Sequence, residues 1–432
     1  MTVWEKRLQN EGLDRWFGRG FARVCALLVG TGIAMGCSGE AADLTPLAST
    51  AEPRATAGPP RELFNAEGAS LQLVGKAETT TEAPRQPVLS GPPAVSLPTD
   101  ENELAEGLRA VVLSNGYEYR EATAPLELAR RVLASRVKVE SGELLLGSQP
   151  SSGSPPALGV PPIGGAPALG EREARGLIGG TEDRSYRSDN TSYPMRTLIF
   201  NDAVCTGFMI GPGTMVTAAH CVYWTYSNRW VTVPDPTVAG GSRWANHAPG
   251  VDGRDANPGP YGWQRCFDIS LPSGYVAAAN ESEPSAQPYD YAVVDFSTRC
   301  GARPGSTVGW LGSWAYPTGQ LYSMGVSVFG YPNTAGPYTS SNRNRIHGVP
   351  PNRYGEIWGM SGSVNPSGAT ALVTTNIDTS TGQSGAPYYN SDGYMVGIHY
   401  AGDTAETANY ARRFDTDVFN FVDANSPYPQ QQ

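Results

Sequence analysis

The sequence predicts an all-β domain that follows a long region of different composition. From residue 176 onward, short β-forming runs such as 196–200, 214–216 and 326–329 alternate with Gly, Pro, Asn and Ser. Many short strands at close spacing point to a sandwich or barrel. A helical pattern occurs only near 414–422. Before that domain, from 38 to about 175, the chain is rich in Pro, Ala, Gly, Ser and Glu, with Pro155-Pro156 and Pro161-Pro162 among its low-complexity runs. Sequence of this kind buries too little apolar surface to fold alone.

Residues 1–37 read as an export signal. Arg15, Arg19 and Arg23 precede the apolar stretch Val24-Cys25-Ala26-Leu27-Leu28-Val29-Gly30, which leads to Ala34-Met35-Gly36-Cys37. A membrane span needs about 20 apolar residues, so a shorter run behind a basic region is an export signal. The small residues before Cys37 are similar to a bacterial lipoprotein cleavage site, which would lipidate Cys37 and anchor a precursor to the membrane. The alternative is an ordinary signal peptide with an incidental cysteine.

Residues 38–175 read as a pro-segment or linker. Within it Leu104, Leu108, Val111 and Val112, then Leu126, Leu128, Val132 and Leu133, recur at roughly helical spacing, which fits either a small segment folded against the following domain or a transient helix. The run Glu171-Arg172-Glu173-Ala174-Arg175 ends in a basic residue before Gly176-Leu177-Ile178-Gly179. A cut between Arg175 and Gly176 would separate the two halves. The formal net charge of -10 over 432 residues argues against nucleic acid or an anionic membrane surface as partner.

Three motifs in the third part, 176–432, carry chemistry: Thr217-Ala218-Ala219-His220-Cys221, then Asp290-Tyr291-Ala292, then Gly382-Gln383-Ser384-Gly385-Ala386-Pro387. A serine hydroxyl is a poor nucleophile near neutral pH, so acyl transfer needs an imidazole to take its proton and return it to the leaving amine. His220 is the candidate base. A buried carboxylate on the other ring nitrogen fixes the tautomer and stabilises the imidazolium, the role expected of Asp290. Glycines around Ser384 would let the amides of Gly382 and Ser384 point at the developing oxyanion, one such donor being worth about 3 kcal/mol. A second G-x-S-G, Gly359-Met360-Ser361-Gly362, reads instead as a strand of small residues. Of the four histidines, His220, His247, His347 and His399, only His220 sits in a small-residue segment that a disulfide could pin. Asp290 and Asp295 both flank Ala292-Val293-Val294 and would lie on opposite faces of a strand.

Beyond these, Ile178-Gly179-Gly180-Thr181-Glu182-Asp183-Arg184, Tyr193-Pro194 and Cys205-Thr206-Gly207-Phe208-Met209-Ile210-Gly211-Pro212 lead up to the histidine motif, and Asp378-Thr379 leads up to the serine. Over about 176–422 the chain resembles the glutamyl endopeptidases, secreted bacterial chymotrypsin-like serine proteases. The resemblance implies two antiparallel six-stranded β-barrels and a C-terminal helix, with His220 and Asp290 from the first barrel and Ser384 from the second. It favours Asp290, which precedes its apolar run as the family's acid does, and leaves Asp295 as a solvated surface charge. It implies hydrolysis of protein or peptide substrates after glutamate by a secreted monomer. In the pocket, Thr379 stands where the family carries a hydroxyl, and Ile398-His399-Tyr400-Ala401-Gly402 matches the second wall. Thr379 and His399 would donate to the substrate carboxylate, since burying one without partners costs several kcal/mol. Asp378 is the alternative, a wall acid that would give another specificity, and a third reading is a non-catalytic surface protein on the same scaffold. Gln383 replaces the aspartate that pairs with the new amino terminus in trypsin-like zymogens. In the resembled family the freed amine lies near the pocket instead.

Cys205, Cys221, Cys266 and Cys300 remain after the two export-segment cysteines and allow three pairings. An exported location favours disulfides. The resemblance pairs Cys205 with Cys221, closing the loop that carries His220, and Cys266 with Cys300 would bracket Asp290. No cysteine pair has zinc spacing, Asp252-Gly253-Arg254-Asp255 reads as a solvated loop, and neither metal nor cofactor is expected.

Overall fold

The computed structural model describes residues 63–81, 87–93, 98–154, 178, 183–201, 205–235, 241–244, 246–251, 260–332 and 355–426. All belong to one compact unit, Ala51–Gln432. The export signal with Cys37, the processing site at Arg175 and Gly176, His347 and the 252–255 turn lie outside the described residues.

Two large sheets build the protein. The first has ten strands, and six of them come from the half that the sequence assigns to the β domain: Asp268–Pro272, Ala292–Asp295, Thr214–Thr217, Cys205–Met209, Leu198–Asn201 and His247–Pro249, in hydrogen-bonded order. Met215, Val216, Val293 and Val294 are all buried, so these strands are covered on both faces, as near-continuous apolar runs are. The second sheet closes on itself. Pro387–Tyr389, Met324–Gly330, Ile357–Ser367, Ala371–Thr374, Asn409–Arg413 and Tyr394–Asp403 pair in turn, and Tyr394–Asp403 pairs back to Pro387–Tyr389, completing a six-stranded antiparallel barrel. Ser361 lies in Ile357–Ser367 with its hydroxyl 2.7 Å from that of Ser327 across the ladder, in keeping with the strand reading.

The helix Thr416–Asn425 follows the barrel. Its first-turn amides are satisfied by the Asp415 carboxylate, which accepts from Asp417 and Val418 at 3.1 and 3.2 Å, the arrangement favoured at a helix N-cap.

The described part of residues 38–175 is folded onto this core. Its strands Ala110–Ser114, Tyr117–Glu121, Ser70–Lys76 and Leu63–Phe64 continue the first sheet beyond Asp268–Pro272, with Leu113 opposite Ile269. The apolar positions read at helical spacing divide between element types. Leu104 and Leu108 lie on the helix Glu101–Leu108, which Asp100 caps by accepting from Asn102 and Glu103 at 3.0 Å each. Leu128 and Val132 lie on the buried stripe of Leu126–Glu140. Val111 and Val112 belong to the strand Ala110–Ser114, buried at every position, where β-branched side chains pack between two neighbouring strands. Leu126–Glu140 docks on the C-terminal helix: Arg136 grips Asp417 through two bonds, of 2.9 and 2.5 Å, and Arg131 Nε reaches Asn420 Oδ1 at 2.9 Å.

Candidate active site

The strand Thr214–Thr217 ends in a short 3₁₀ turn, Ala219–Cys221, that delivers His220. The Cys205–Cys221 disulfide, with Cα atoms 5.9 Å apart, ties this turn to the neighbouring strand Cys205–Met209. Asp290 comes from the turn before Ala292–Asp295, which pairs directly with Thr214–Thr217. Strand pairing therefore brings together two residues distant in sequence. His220 Nδ1 lies 2.8 Å from Asp290 Oδ2, and the His220 backbone N–H donates to Asp290 Oδ1 at 3.1 Å. The double contact fixes the ring's position and leaves Nε2 facing away from the acid. Both residues are buried, and Nε2 has no hydrogen-bond partner among the described residues. Burial and the Asp290 carboxylate raise the pKa of Tyr275 and Tyr400 well above the ordinary phenol range, so the neighbouring phenols stay neutral.

Ser384 arrives from the second sheet, on the turn before Pro387–Tyr389. Gly382 and Gly385 take positive φ of 95° and 83°, which side chains with a Cβ rarely adopt. Space is as demanding as angle. A Cβ on Gly385 would sit 2.1 Å from the Thr206 carbonyl oxygen, 2.3 Å from Thr217 Oγ1 and 3.0 Å from Ala218 N. The serine turn is thus pressed against the segment that carries His220. Thr206 donates its N–H to the Ser384 carbonyl at 2.8 Å and its hydroxyl to the Gly382 carbonyl at 2.9 Å, while Cys221 Sγ lies 3.6 Å from the Ser384 carbonyl oxygen. The N–H groups of Gly382 and Ser384 have no acceptor among the described residues. The loop therefore offers two amide donors without acceptors among the described residues beside a buried serine, and the segment that carries His220 packs against it.

The sequence matches the trypsin-like peptidase domain family over residues 205–398. Among curated proteins, it is 30% identical over 213 residues to a glutamyl endopeptidase of Bacillus licheniformis and 26% identical over 256 residues to an extracellular metalloprotease of Bacillus subtilis. These alignments cover 49% and 57% of this chain, and 54% and 68% of the relatives, so the match spans about half the length of the first. Among solved structures, a Glu endopeptidase in complex with MPD aligns with 24% identity and a TM-score of 0.43, covering 57% of this chain and 97% of that one. The protease Anisep from Arthrobacter nicotinovorans aligns with 19% identity and a TM-score of 0.32, covering 50% and 84%.

The name of the second Bacillus relative raises the question of a metal near the His220 site. Among the described residues, the grouping with suitable atoms within reach of one another is Cys205, His220 and Cys221. Its two sulfurs are bonded to each other, so neither is a thiolate, the form that binds metal. The donor set does not suit a metal. Cys266 and Cys300 form the second disulfide among the described residues, Cα atoms 5.8 Å apart.

The four residues expected at the walls of a pocket differ in their partners. Thr379 is buried with its hydroxyl unpartnered. His399 is fully buried on Tyr394–Asp403, its Nδ1 3.3 Å from Tyr388 Oη. Burial, with the nearby His220 and Arg184, lowers its pKa to about 3 despite a hydrogen bond to the Tyr410 backbone, so the ring is neutral. Asp378 has both carboxylate oxygens engaged, accepting from the N–H of Ile178 at 2.9 Å and of Asp183 at 3.0 Å. It therefore anchors the segment just past the expected cut. Gly402 closes the wall at the strand edge.

Two arrangements here were not read from the sequence. Arg184, 2% exposed, sends its guanidinium to Ser380 Oγ at 2.7 Å and to Gln383 Oε1, while Gln383 Nε2 donates to the Trp358 carbonyl at 3.0 Å. The residue before Ser384 is therefore a buried neutral strut held by a cation. Its sequence signal was Arg184 at the end of the Ile178 motif, which the sequence reading assigned only to family likeness. The second is a correction: Asp295 is 7% exposed, not a solvated charge, and accepts from Ser297 N, Ser297 Oγ and Thr298 N at 2.8, 2.5 and 3.0 Å. An aspartate two and three residues before free amides caps them, a local use that strand alternation does not reveal.

Proposed function

We propose that the protein is a secreted serine endopeptidase that hydrolyses peptide bonds after glutamate, with Ser384 as nucleophile, His220 as base and Asp290 as its orienting acid. The observation that carries this reading is the His220–Asp290 contact of 2.8 Å with the opposite ring nitrogen unpartnered. His220 Nε2 takes the Ser384 proton as Oγ attacks the carbonyl carbon. The oxyanion is held by the amides of Gly382 and Ser384. The imidazolium then protonates the leaving amine as the C–N bond breaks, and water repeats the sequence on the acyl-enzyme. In apo structures the serine–histidine bond is often long and tightens only with substrate. The glutamate preference is supported by the buried, unpartnered Thr379 hydroxyl, by engagement of both Asp378 oxygens elsewhere and by the similarity to a glutamyl endopeptidase. Secretion is supported by the residue 1–37 pattern and by a relative named extracellular. No described helix is long and apolar enough to cross a membrane. Membrane tethering of the precursor through Cys37, a cut after Arg175 and a monomeric state complete the reading.

A fluorophosphonate that modifies only activated serines tests it, together with a peptide library varied at the residue before the cut. Ser384→Ala and His220→Ala should each abolish labelling, with effects that do not add, and Ser361→Ala should label normally. Labelling that survives Ser384→Ala but not Ser361→Ala would overturn the nucleophile assignment. A library that returns basic residues instead of glutamate would overturn the specificity.

A further inference from the structure

The Gly382 N–H belongs to the Thr381–Gly382 peptide unit, and among the described residues no main-chain bond holds that unit at its carbonyl or at its N–H. The next unit is held at both ends: the Gln383 N–H donates to the Ser380 carbonyl at 2.9 Å, and Thr206 Oγ1 donates to the Gly382 carbonyl at 2.9 Å. Gly382 sits at a φ of 95°, and glycine adopts either sign of φ at little cost. A rotation that turns the Gly382 N–H away from Ser384 therefore meets little resistance from the backbone itself. What spans the unit is a side chain. Arg184 Nη1 donates to Ser380 Oγ at 2.7 Å and to Gln383 Oε1, on either side of Thr381 and Gly382, and Ser380 Oγ lies 3.3 Å from Gln383 Oε1. Gln383 is tied at its other end too, Nε2 donating to the Trp358 carbonyl at 3.0 Å. Trp358 faces Tyr186 across the ladder between Ser185–Arg187 and Ile357–Ser367. Arg184 precedes that ladder by one residue, so a ring of bonds closes under the serine turn.

We propose that Arg184 is a positioning residue for the serine turn: by clamping Ser380 to Gln383 it holds the Thr381–Gly382 peptide with its N–H available to the oxyanion. The proposal rests on the peptidase reading of the Ser384 site and adds to it a residue outside the triad. Arg184 acts through the side chains of Ser380 and Gln383. The clamp has the chemistry its task requires, since a planar guanidinium is pre-organised to bond two acceptors at once and stays charged at any working pH. The oxyanion develops only as Ser384 attacks, so an interaction that orients its donors stabilises the transition state and not bound substrate. Loss of the clamp therefore acts on kcat and leaves substrate affinity in place.

The test is made on the active protein with a peptide nitroanilide ending in glutamate and with the matching peptide aldehyde, whose adduct with Ser384 places an oxygen where the oxyanion forms. Fluorophosphonate labelling carried to completion counts the active sites first, so that poorly folded protein lowers the count and not the rate per site. Arg184→Met should lower kcat per site by about tenfold or more, leave KM within about twofold and weaken the aldehyde by the same factor as kcat/KM. Arg184→Lys, whose ammonium can still donate to both Ser380 and Gln383, should recover most of the loss. Gln383→Met keeps the length of that side chain and releases the clamp from its other end. It should reproduce the pattern and covers the case in which Arg184→Met fails to fold. Unchanged kcat in a labelled variant would overturn the proposal, and so would a fall in kcat with undiminished aldehyde affinity. A parent that takes no fluorophosphonate at Ser384 sinks the peptidase reading, whereas a labelled parent whose variants keep its kcat sinks the clamp alone.

Discussion

At the scale of single residues, the pocket is defined by what each side chain has left to offer. Thr379 has a whole hydroxyl unspent, while His399 is already bonded to Tyr388 and the Tyr410 backbone. Thr379 is thus the freer donor, although the sequence reading treats the two as a pair. A hydrogen bond to a charged group contributes about 1.5–3 kcal/mol, so Thr379→Val should lower the ratio of glutamate to glutamine cleavage by about tenfold or more. That ratio cancels general damage to the triad, and a ratio that does not move would remove Thr379 from substrate recognition. The neutral state of His399 adds a constraint, since a ring with a pKa near 3 cannot change charge at neutral pH. The same ratio followed from pH 5 to 8 should show no step from this ring. The chemical parts of the site were legible because acyl transfer restricts which residue types can do each task and the motifs show them in order. Arg184 was not, because a buried cation bonded to neutral side chains has no local pattern.

At the scale of elements, the helix Leu126–Glu140 is held to the C-terminal helix through Arg136 and Asp417. Burial and the adjacent Asp415 carboxylate raise the pKa of Asp417 in spite of Arg136, so the pair is the main compensation for a desolvated acid. Removing one partner of such a pair costs about 3 kcal/mol, mostly from the charge left behind. Arg136→Met should lower thermal stability accordingly and expose the 126–140 region to protease, and Asp417→Asn in the same chain should recover much of the loss. Equal stability of Arg136→Met and the parent would show that the helix is held by its apolar stripe alone. Helical periodicity correctly marked Leu128 and Val132 but ran across Val111 and Val112, because four apolar residues at short spacing satisfy either period. What decided the matter was the partner strand Asp268–Pro272, far away in sequence, which no local window contains.

At the scale of the whole molecule, two buried rings contribute to acid sensitivity. His247 is fully buried between Phe267 and Phe296, with both nitrogens unpartnered among the described residues, and burial lowers its pKa to about 3. His399 is lowered to about the same value. The unfolded chain binds these protons near pH 6.5 and the folded chain does not, so stability is fully present above that pH and is lost as pH falls toward 3. Each ring contributes about 1.4 kcal/mol per pH unit within that window. Unfolding midpoints in denaturant should therefore fall steadily below pH 6.5. His247→Phe, which keeps an aromatic ring of similar size in an aromatic setting, should reduce the slope. An unaltered slope would mean that His247 does not titrate on unfolding as described.

The continuity of the first sheet has a further consequence for the protein in solution. Asp268–Pro272 has one of its two ladders covered by Ala110–Ser114. An uncovered, flat, apolar edge is a template for pairing with other chains. A molecule stripped of 63–154 would present Ile269 and Leu271, both buried here, along such an edge, and would be prone to associate with its own copies. If the chain is cut after Arg175 as proposed, departure of the upstream block would be a separate event, and a nicked protein that keeps the block is the form expected to stay soluble.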